Sequence, residues 1–192
     1  MFGRRLLERV IEVTEPCTVI DVGVGKGEQA QAFLDAGYTV TGVSLSESPI
    51  EHDWYIHIQN RMEECPCEGD IVWCSHTLEH TPNVGQFLRQ CRQSTIDWFC
   101  IVVPNDRQNL LIDGHLTFWT PAHLMYNLVI AGFDCNKAKW YTEGRDIALM
   151  VQRVDRPHVD LNYDHGDLEK LAPYFPFTLI PRITDPWLPD HF

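Results

Sequence analysis

The sequence has no long hydrophobic run and little positive charge. No stretch approaches the roughly 20 consecutive apolar residues that span a bilayer, and the basic N-terminus is not followed by the apolar core of a signal peptide. Lys and Arg number 15 against 27 Asp and Glu, so the net charge is −12. Affinity for nucleic acid comes mainly from neutralising phosphates, so we expect no nucleic-acid partner for so acidic a chain. The lack of a long apolar run leads us to expect no membrane partner either.

The cysteines lack the pattern of a metal site or a disulfide framework. Cys65-Pro-Cys67 does not have the C-x-x-C spacing of zinc ligands, and no second pair follows it. His76, Glu79 and His80 have the H-x-x-E-H order of an inverted zinc motif, but this motif needs a helix, and here it follows a strand. We therefore expect no metal. An odd number of cysteines lying in apolar runs is typical of reduced thiols and indicates a cytoplasmic protein; the seven are Cys17, Cys65, Cys67, Cys74, Cys91, Cys100 and Cys135.

Short apolar runs alternate with helical patterns along most of the chain. This alternation predicts an α/β fold with a doubly wound, mostly parallel, seven-stranded sheet that ends in an antiparallel hairpin. A short N-terminal helix is expected within residues 1–15, and a proline-rich extension, residues 156–192, is expected to pack on the domain formed by residues 1–155. The predicted strands are 17–22, 38–43, 54–58, 70–74, 98–103, 133–141 and 147–154, and the predicted helices are 26–36, 84–94, 120–132 and 167–171.

A glycine-rich turn follows the first predicted strand. Asp21, Gly23, Gly25 and Gly27 lie at alternate positions between this strand and a helix. Glycine allows a positive φ and the close approach of a ligand, so the turn predicts a cofactor site. The dinucleotide fingerprint would place its third glycine at Glu28, where a carboxylate disfavours a pyrophosphate, and no phosphate-loop motif is present.

The glycine turn resembles the first motif of the class I S-adenosylmethionine-dependent methyltransferases. The resemblance continues in His76-Thr-Leu-Glu-His80, which is similar to a signature of the small-molecule branch of that family, and in the segments Gly114–Leu124 and Ala131–Phe133. It covers about residues 16–154 and implies a Rossmann-like methyltransferase fold with S-adenosylmethionine as cofactor.

The resemblance also implies which residues bind the cofactor. Ser44 stands where family members usually have a carboxylate for the ribose hydroxyls; a serine can still form a hydrogen bond there, and Glu47 could reach the same place. The residue that faces the adenine amine falls within 60–62. The implied cofactor-binding residues are Asp21, Gly23, Gly25, Gly27, Ser44, Leu45, Arg61, Met62, Ser75 and His76.

Three histidines are candidates for catalysis. His76, His80 and His115 follow the fourth and fifth predicted strands, and ligands of open α/β sheets bind beyond the carboxyl ends of the strands. Histidine is the commonest base near neutral pH, and His115 is the best placed over an acceptor. Each of the three could instead have a structural role, and Glu79 is expected to be a hydrogen-bonding residue of the loop.

The leading hypothesis is a cytoplasmic methyltransferase that acts on an oxygen or nitrogen atom of a small molecule or glycan. The alternative is a catalytically weak or inactive cofactor-binding module of the same fold, which the serine at position 44 favours. A nucleotide-dependent oxidoreductase is disfavoured by Glu28.

Overall fold

We describe a computed structural model of the protein, which covers residues 1–105 and 111–177. Over these residues helices and strands alternate as the sequence predicts. The helices are α1 (Arg4–Val13), α2 (Glu28–Asp35), α3 (Val84–Ser94), α4 (Pro121–Ile130) and α5 (Asp167–Leu171), with short 3-10 turns at Met62–Glu64, Leu78–His80 and Ala172–Tyr174. The strands are β1 (Thr18–Val22), β2 (Thr39–Ser44), β3 (Tyr55–Gln59), β4 (Gly69–Ser75), β5 (Thr95–Pro104), β6 (Lys139–Glu143) and β7 (Asp146–Gln152).

The seven strands form one sheet in the order β3-β2-β1-β4-β5-β7-β6. Strands β1 to β5 are parallel to one another, whereas β7 runs antiparallel to both β5 and β6. The predicted fold is thereby confirmed. The strand order reverses between β1 and β4, and ligands of such sheets bind at the carboxyl ends of the strands at this point.

Helices cover both faces of the sheet, as the near-continuous apolar character of the strands requires. On one face α1 and α2 bury Leu6, Val10 and Phe33 against the sheet. On the other face α3 and α4 pack over Phe99 and Leu149. The cofactor turn therefore lies between two well-packed layers.

Capping residues fix two of these helices where the sequence indicates. The side chain of Thr120 accepts a hydrogen bond from the backbone N–H of His123, 3.2 Å away, and Pro121 occupies the first helical position of α4. Asn83 caps α3 in the same way through the N–H of Gln86. The predicted bounds of α3 are confirmed.

The strand predicted over residues 133–141 is wrong in its first part. β6 begins only at Lys139, because Asp134 accepts a hydrogen bond from the N–H of Asn136 and the N–H of Ala138 bonds to the carbonyl of Cys135. These local bonds form a turn that competes with strand pairing. The apolar side chains of the segment are still buried, which explains the strand-like pattern of the sequence.

The beginning of the C-terminal extension contacts the domain. The guanidinium of Arg156 donates to the carbonyls of Phe133 and Val129, and Leu171 and Phe175 are buried in the core on the α3–α4 face. Residues 178–192 of the predicted extension lie outside the described residues. Among the residues that are described, no helix is long and apolar enough to cross a membrane.

Candidate active site

The three glycines of the turn after β1 all have positive φ, but they meet different surroundings. A Cβ at Gly23 would lie 1.9 Å from Oγ1 of Thr77, and a Cβ at Gly27 would lie 2.7 Å from the side chain of Ile50. A Cβ at Gly25 would meet nothing closer than a carbonyl oxygen 3.9 Å away. Gly23 and Gly27 are thus required by packing, whereas Gly25 faces open space that a ligand can approach.

Asp21, in β1 just before this turn, is completely buried. Its carboxylate accepts a hydrogen bond from the backbone N–H of Ala30 in α2, while its Oδ2 atom has no hydrogen-bond partner among the described residues. Burial raises the pKa of Asp21 to about 7. The Oδ2 atom is thus an unpaired buried acceptor in the strand that leads into the glycine turn.

The turns after β1 and β4 are tied together. The hydroxyl of Thr77 lies 3.0 Å from the carbonyl oxygen of Val22. At the start of α2, the side chain of Gln29 accepts from the indole N–H of Trp73 and donates to the hydroxyl of Ser75, 3.0 Å away. Sequence reasoning missed Gln29, because its role depends on contacts with a strand more than 40 residues away in the chain.

At the end of β2, Ser44 lies beside a histidine that sequence reasoning also missed. The Nε2 atom of His57 is 2.9 Å from the carbonyl oxygen of Ser46 and 3.5 Å from the hydroxyl of Ser44. Its Nδ1 atom is 2.9 Å from the hydroxyl of Tyr55. Since Nε2 donates to a carbonyl, Nδ1 accepts from the tyrosine. The ribose side of the predicted site therefore offers hydroxyl and imidazole groups.

The remaining residues expected near the nucleoside differ in exposure. The side chains of Leu45 and Arg61 are exposed, whereas Met62 is buried in the core beneath α3. The backbone N–H of Arg61 donates to the side chain of Asn60. Of the three residues considered for contact with the adenine, Met62 thus has its side chain directed into the core.

His76 occupies a strained position directly after β4. Its φ is +52°, its Nε2 atom is 3.0 Å from Oδ1 of Asp146, and its Nδ1 atom is 3.4 Å from Oε1 of Glu79. The ring of Phe2 stacks on the imidazole with a centroid distance of 4.2 Å. Although burial alone would lower it, the contacts with Asp146 and Glu79 raise the pKa of His76 to about 9.

Asp146 completes an ion pair with His76. Burial alone would raise the pKa of Asp146, but hydrogen bonds from His76 and from the backbone N–H of Gly3 lower it. At neutral pH both partners are therefore charged. Asp146 is the first residue of the antiparallel strand β7, which places it at the edge of the sheet where the parallel strands end.

The imidazole rings of His80 and His115 lie against each other. Their ring centroids are 4.9 Å apart, and the Nδ1 atom of His80 is 2.8 Å from the carbonyl oxygen of Gly114. Glu79 is fully buried between His76 and His80. The structure therefore brings the three predicted histidines into one cluster with Glu79.

A protein-family model described as "Methyltransferase domain" matches residues 20–96. Curated relatives include ubiquinone biosynthesis O-methyltransferases of Pseudomonas paraeruginosa (strain DSM 24068 / PA7), 32% identical over 89 residues, and of Pseudomonas fluorescens (strain Pf0-1), 31% identical over 86 residues. These alignments cover 40% and 38% of this chain, and the chain spans only 38% and 37% of the length of the two relatives.

Solved structures of low sequence identity share the fold. One is the 1,6-didemethyltoxoflavin-N1-methyltransferase of Burkholderia thailandensis, crystallised with S-adenosylhomocysteine, with a TM-score of 0.65, 19% identity and coverage of 79% of this chain and 78% of that one. Another is the magnesium protoporphyrin IX methyltransferase of Synechocystis PCC 6803, also with S-adenosylhomocysteine, with a TM-score of 0.65, 15% identity and coverage of 79% and 83%. Residues 20–96 thus resemble a methyltransferase domain, and the described residues share the fold of these methyltransferases.

Ser44, at the end of β2, stands where the resemblance in sequence implies a carboxylate for the ribose hydroxyls, and His57 lies beside it. The seven-stranded sheet with its antiparallel final hairpin agrees with the fold of the solved methyltransferase structures.

Proposed function

We propose that the chain is an S-adenosylmethionine-dependent methyltransferase that transfers a methyl group to an oxygen or nitrogen atom of a small molecule or glycan. The observation that carries this proposal is the geometry at the switch point of the sheet. There, the glycine turn has an open position at Gly25, and the strand that leads into the turn carries a buried aspartate with an unused acceptor oxygen.

The residues present fit this cofactor. Gly25 would allow its close approach, Asp21 would accept a hydrogen bond from it or from the turn that holds it, and the hydroxyl of Ser44 would bond a ribose hydroxyl. When bound, the cofactor supplies a methyl group on a sulfonium, an activated leaving group that needs no acid catalyst from the protein. The chain's own task is then to position the acceptor and to exclude water.

His76 is proposed to position the site rather than to act as a base. With a pKa of about 9, its imidazole is protonated at neutral pH and has no lone pair to accept a proton. As an imidazolium between Asp146 and Glu79, it fixes the turn after β4 against the first strand residue of β7. His115 is proposed to act on the nucleophilic atom of the acceptor.

An acceptor with apolar surface fits the loop that carries His115. Leu111, Leu116 and Phe118 have exposures of 93%, 57% and 42%, which is unusual for large apolar side chains of a globular fold when they cluster in one loop. They flank the histidine on both sides in the chain. Since the relatives described above include an O- and an N-methyltransferase, either type of acceptor atom is compatible with the family.

The second candidate function is a non-catalytic module that binds the cofactor. Ser44 favours it, because a neutral hydroxyl forms weaker hydrogen bonds to the ribose than a carboxylate does. Transfer of a labelled methyl group from S-adenosylmethionine to a pool of small metabolites and glycans separates the two. Label in a defined product would support the methyltransferase proposal. Cofactor binding without transfer to any fraction of the pool would support the non-catalytic module.

Two variants test which residues the transfer reaction requires. Gly25→Val would abolish transfer by placing a side chain in the open space of the turn, while Gly166→Val, at another glycine with positive φ and open space, is the control for backbone strain. His115→Ala should lower turnover by at least about tenfold, in the range of a lost catalytic group, while the affinity for S-adenosylhomocysteine stays unchanged. Full activity of His115→Ala would remove His115 from the reaction.

A further inference from the structure

Glu79, His80 and His115 form a cluster that the cofactor site does not use. One ligand atom from each residue lies within 4.8 Å of those of the other two. The spacing in the sequence would have paired His76 with His80. The structure instead turns His76 toward Asp146 and brings His115, from a separate loop, to His80.

Glu79 is the unusual member of this cluster. Its side chain has 0% exposure, and neither carboxylate oxygen has a hydrogen-bond partner among the described residues. Two imidazole nitrogens face it, Nδ1 of His76 at 3.4 Å and Nε2 of His80 at 3.9 Å. Buried carboxylates are normally hydrogen-bonded, paired or bound to a metal. The imidazolium of His76 faces only Oε1 and forms no hydrogen bond with it, so this carboxylate can accept a further cation.

His80 is oriented as a metal-binding histidine. Its Nδ1 atom is 2.8 Å from the carbonyl oxygen of Gly114, so Nδ1 carries the proton and the lone pair of Nε2 faces Glu79. Such a second hydrogen bond to a backbone carbonyl is what fixes the tautomer of metal-ligating histidines. Gly114 permits this contact because it has a φ of +79° and a Cβ there would lie 3.1 Å from Nδ1.

The backbone holds His115 against the same residues. The N–H of Leu116 donates to the carbonyl oxygen of Glu79 at 2.7 Å, and the N–H of His115 donates to the carbonyl of Ile112 at 3.1 Å. The loop is thus bonded directly to the residue that supplies the carboxylate. The three donor groups converge through main-chain contacts as well as through their side chains.

We propose that Glu79, His80 and His115 bind a zinc ion through one carboxylate oxygen and two imidazole nitrogens. Zinc binds nitrogen and oxygen ligands at about 2.0–2.2 Å, so tetrahedral donors lie roughly 3.4 Å apart. The donors now lie within 4.8 Å of one another, so side-chain rotations that draw them together by up to about 1.4 Å would complete the site. Three protein ligands leave a fourth position open, which is the pattern of catalytic rather than structural zinc.

The open coordination position of the zinc ion indicates the chemical class of the methyl acceptor, an inference that rests on the proposed function. A bound zinc ion lowers the pKa of a coordinated hydroxyl. The acceptor is then a hydroxyl compound whose oxygen occupies the fourth position, with its apolar part against Leu111, Leu116 and Phe118. In this arrangement His115 would act as a ligand, and the proton of the coordinated hydroxyl would pass to water rather than to His115.

The test is metal binding by the full chain after treatment with a chelator. Titration with Zn²⁺ should show one saturable site and raise the melting temperature, and Co²⁺ should give the visible absorption of a four-coordinate ion. Glu79→Gln and His115→Ala should each weaken binding by at least about 100-fold. The melting temperature of each metal-free variant is measured alongside, so that loss of the fold is distinguished from loss of a zinc ligand.

Two control variants each remove another potential zinc ligand of the chain. His158→Ala, at an exposed histidine, and Cys67→Ser, at a thiol 3.1 Å from that of Cys65, should leave zinc binding unchanged. The proposal is overturned if zinc does not bind, if Glu79→Gln and His115→Ala bind it as the wild type does, or if Cys67→Ser abolishes it. Binding of S-adenosylhomocysteine is measured in the same samples to distinguish the two proposals. A protein that binds zinc but not S-adenosylhomocysteine would contradict the proposed function. A protein that binds S-adenosylhomocysteine but not zinc would contradict the zinc site.

Discussion

Replacing Asp21 by asparagine should stabilise the protein, and the gain should grow as the pH rises. Folding raises the pKa of Asp21 from 3.8 to about 7, because the carboxyl is completely buried. The folded state therefore binds more protons than the unfolded state between these two values, and the contribution of Asp21 to stability is lost as the pH rises through this window. The uncharged side chain of the Asp21→Asn variant would keep the bond from Ala30 without this loss.

The size of the effect follows from the shift. About three pKa units at 1.36 kcal/mol each correspond to a gain of about 4 kcal/mol for Asp21→Asn at pH 8, as an upper value. At pH 5.5 about half of the window has been crossed, so the gain there should be about 2 kcal/mol. The difference between the two pH values is the quantity that the structure predicts best.

Urea unfolding followed by tryptophan fluorescence at pH 5.5 and pH 8 measures this difference. Asp53→Asn, which removes an exposed carboxylate, is the matched control and should show no such dependence. Binding of S-adenosylhomocysteine should weaken in Asp21→Asn if the buried charge is retained for the ligand. An Asp21→Asn protein that is equally stabilised at both pH values, or destabilised at pH 8, would refute the reasoning from burial.

Three further substitutions test other parts of the site. Asp146→Asn should lower the pKa of His76 toward its ordinary value, as seen in the pH titration of its imidazole by NMR, and an unchanged pKa would show that Asp146 is not its partner. Ser44→Asp should tighten binding of S-adenosylhomocysteine by about tenfold in calorimetry, because a carboxylate forms stronger hydrogen bonds to ribose hydroxyls than a serine hydroxyl does. Equal or weaker binding would contradict the placement of Ser44 beside the ribose. Gly114→Ala should cost about 1–2 kcal/mol in unfolding experiments through its positive φ and should displace the ring of His80, whereas full stability would contradict the described loop geometry.

The fold was predictable because its signals are local. The β-branched run before Gly23 predicts β1, and the Thr120-Pro121 cap predicts the start of α4. The error over residues 133–138 arose because an alternation of apolar and polar residues resembles a strand. The side chain of Asp134 instead bonds the following backbone, a choice that the apolar pattern does not encode.

The candidate site was only partly predictable. Its glycine turn is contiguous in the sequence, so the motif was visible. The partnership of His76 with Asp146 joins residues 70 positions apart, and the convergence of His80 with His115 depends on the path of a loop. One signal was available for Asp146, because the first residue of an antiparallel final strand must lie at the edge where the parallel strands end.

Calorimetric titration of the full chain with S-adenosylhomocysteine and, separately, with NAD addresses the glycine turn directly. We expect a single saturable site for S-adenosylhomocysteine that is lost in Gly25→Val and kept in Gly166→Val, and no binding of NAD. Saturable binding of NAD alone, or S-adenosylhomocysteine binding that Gly25→Val leaves intact, would contradict the assignment of this turn to the methyl donor.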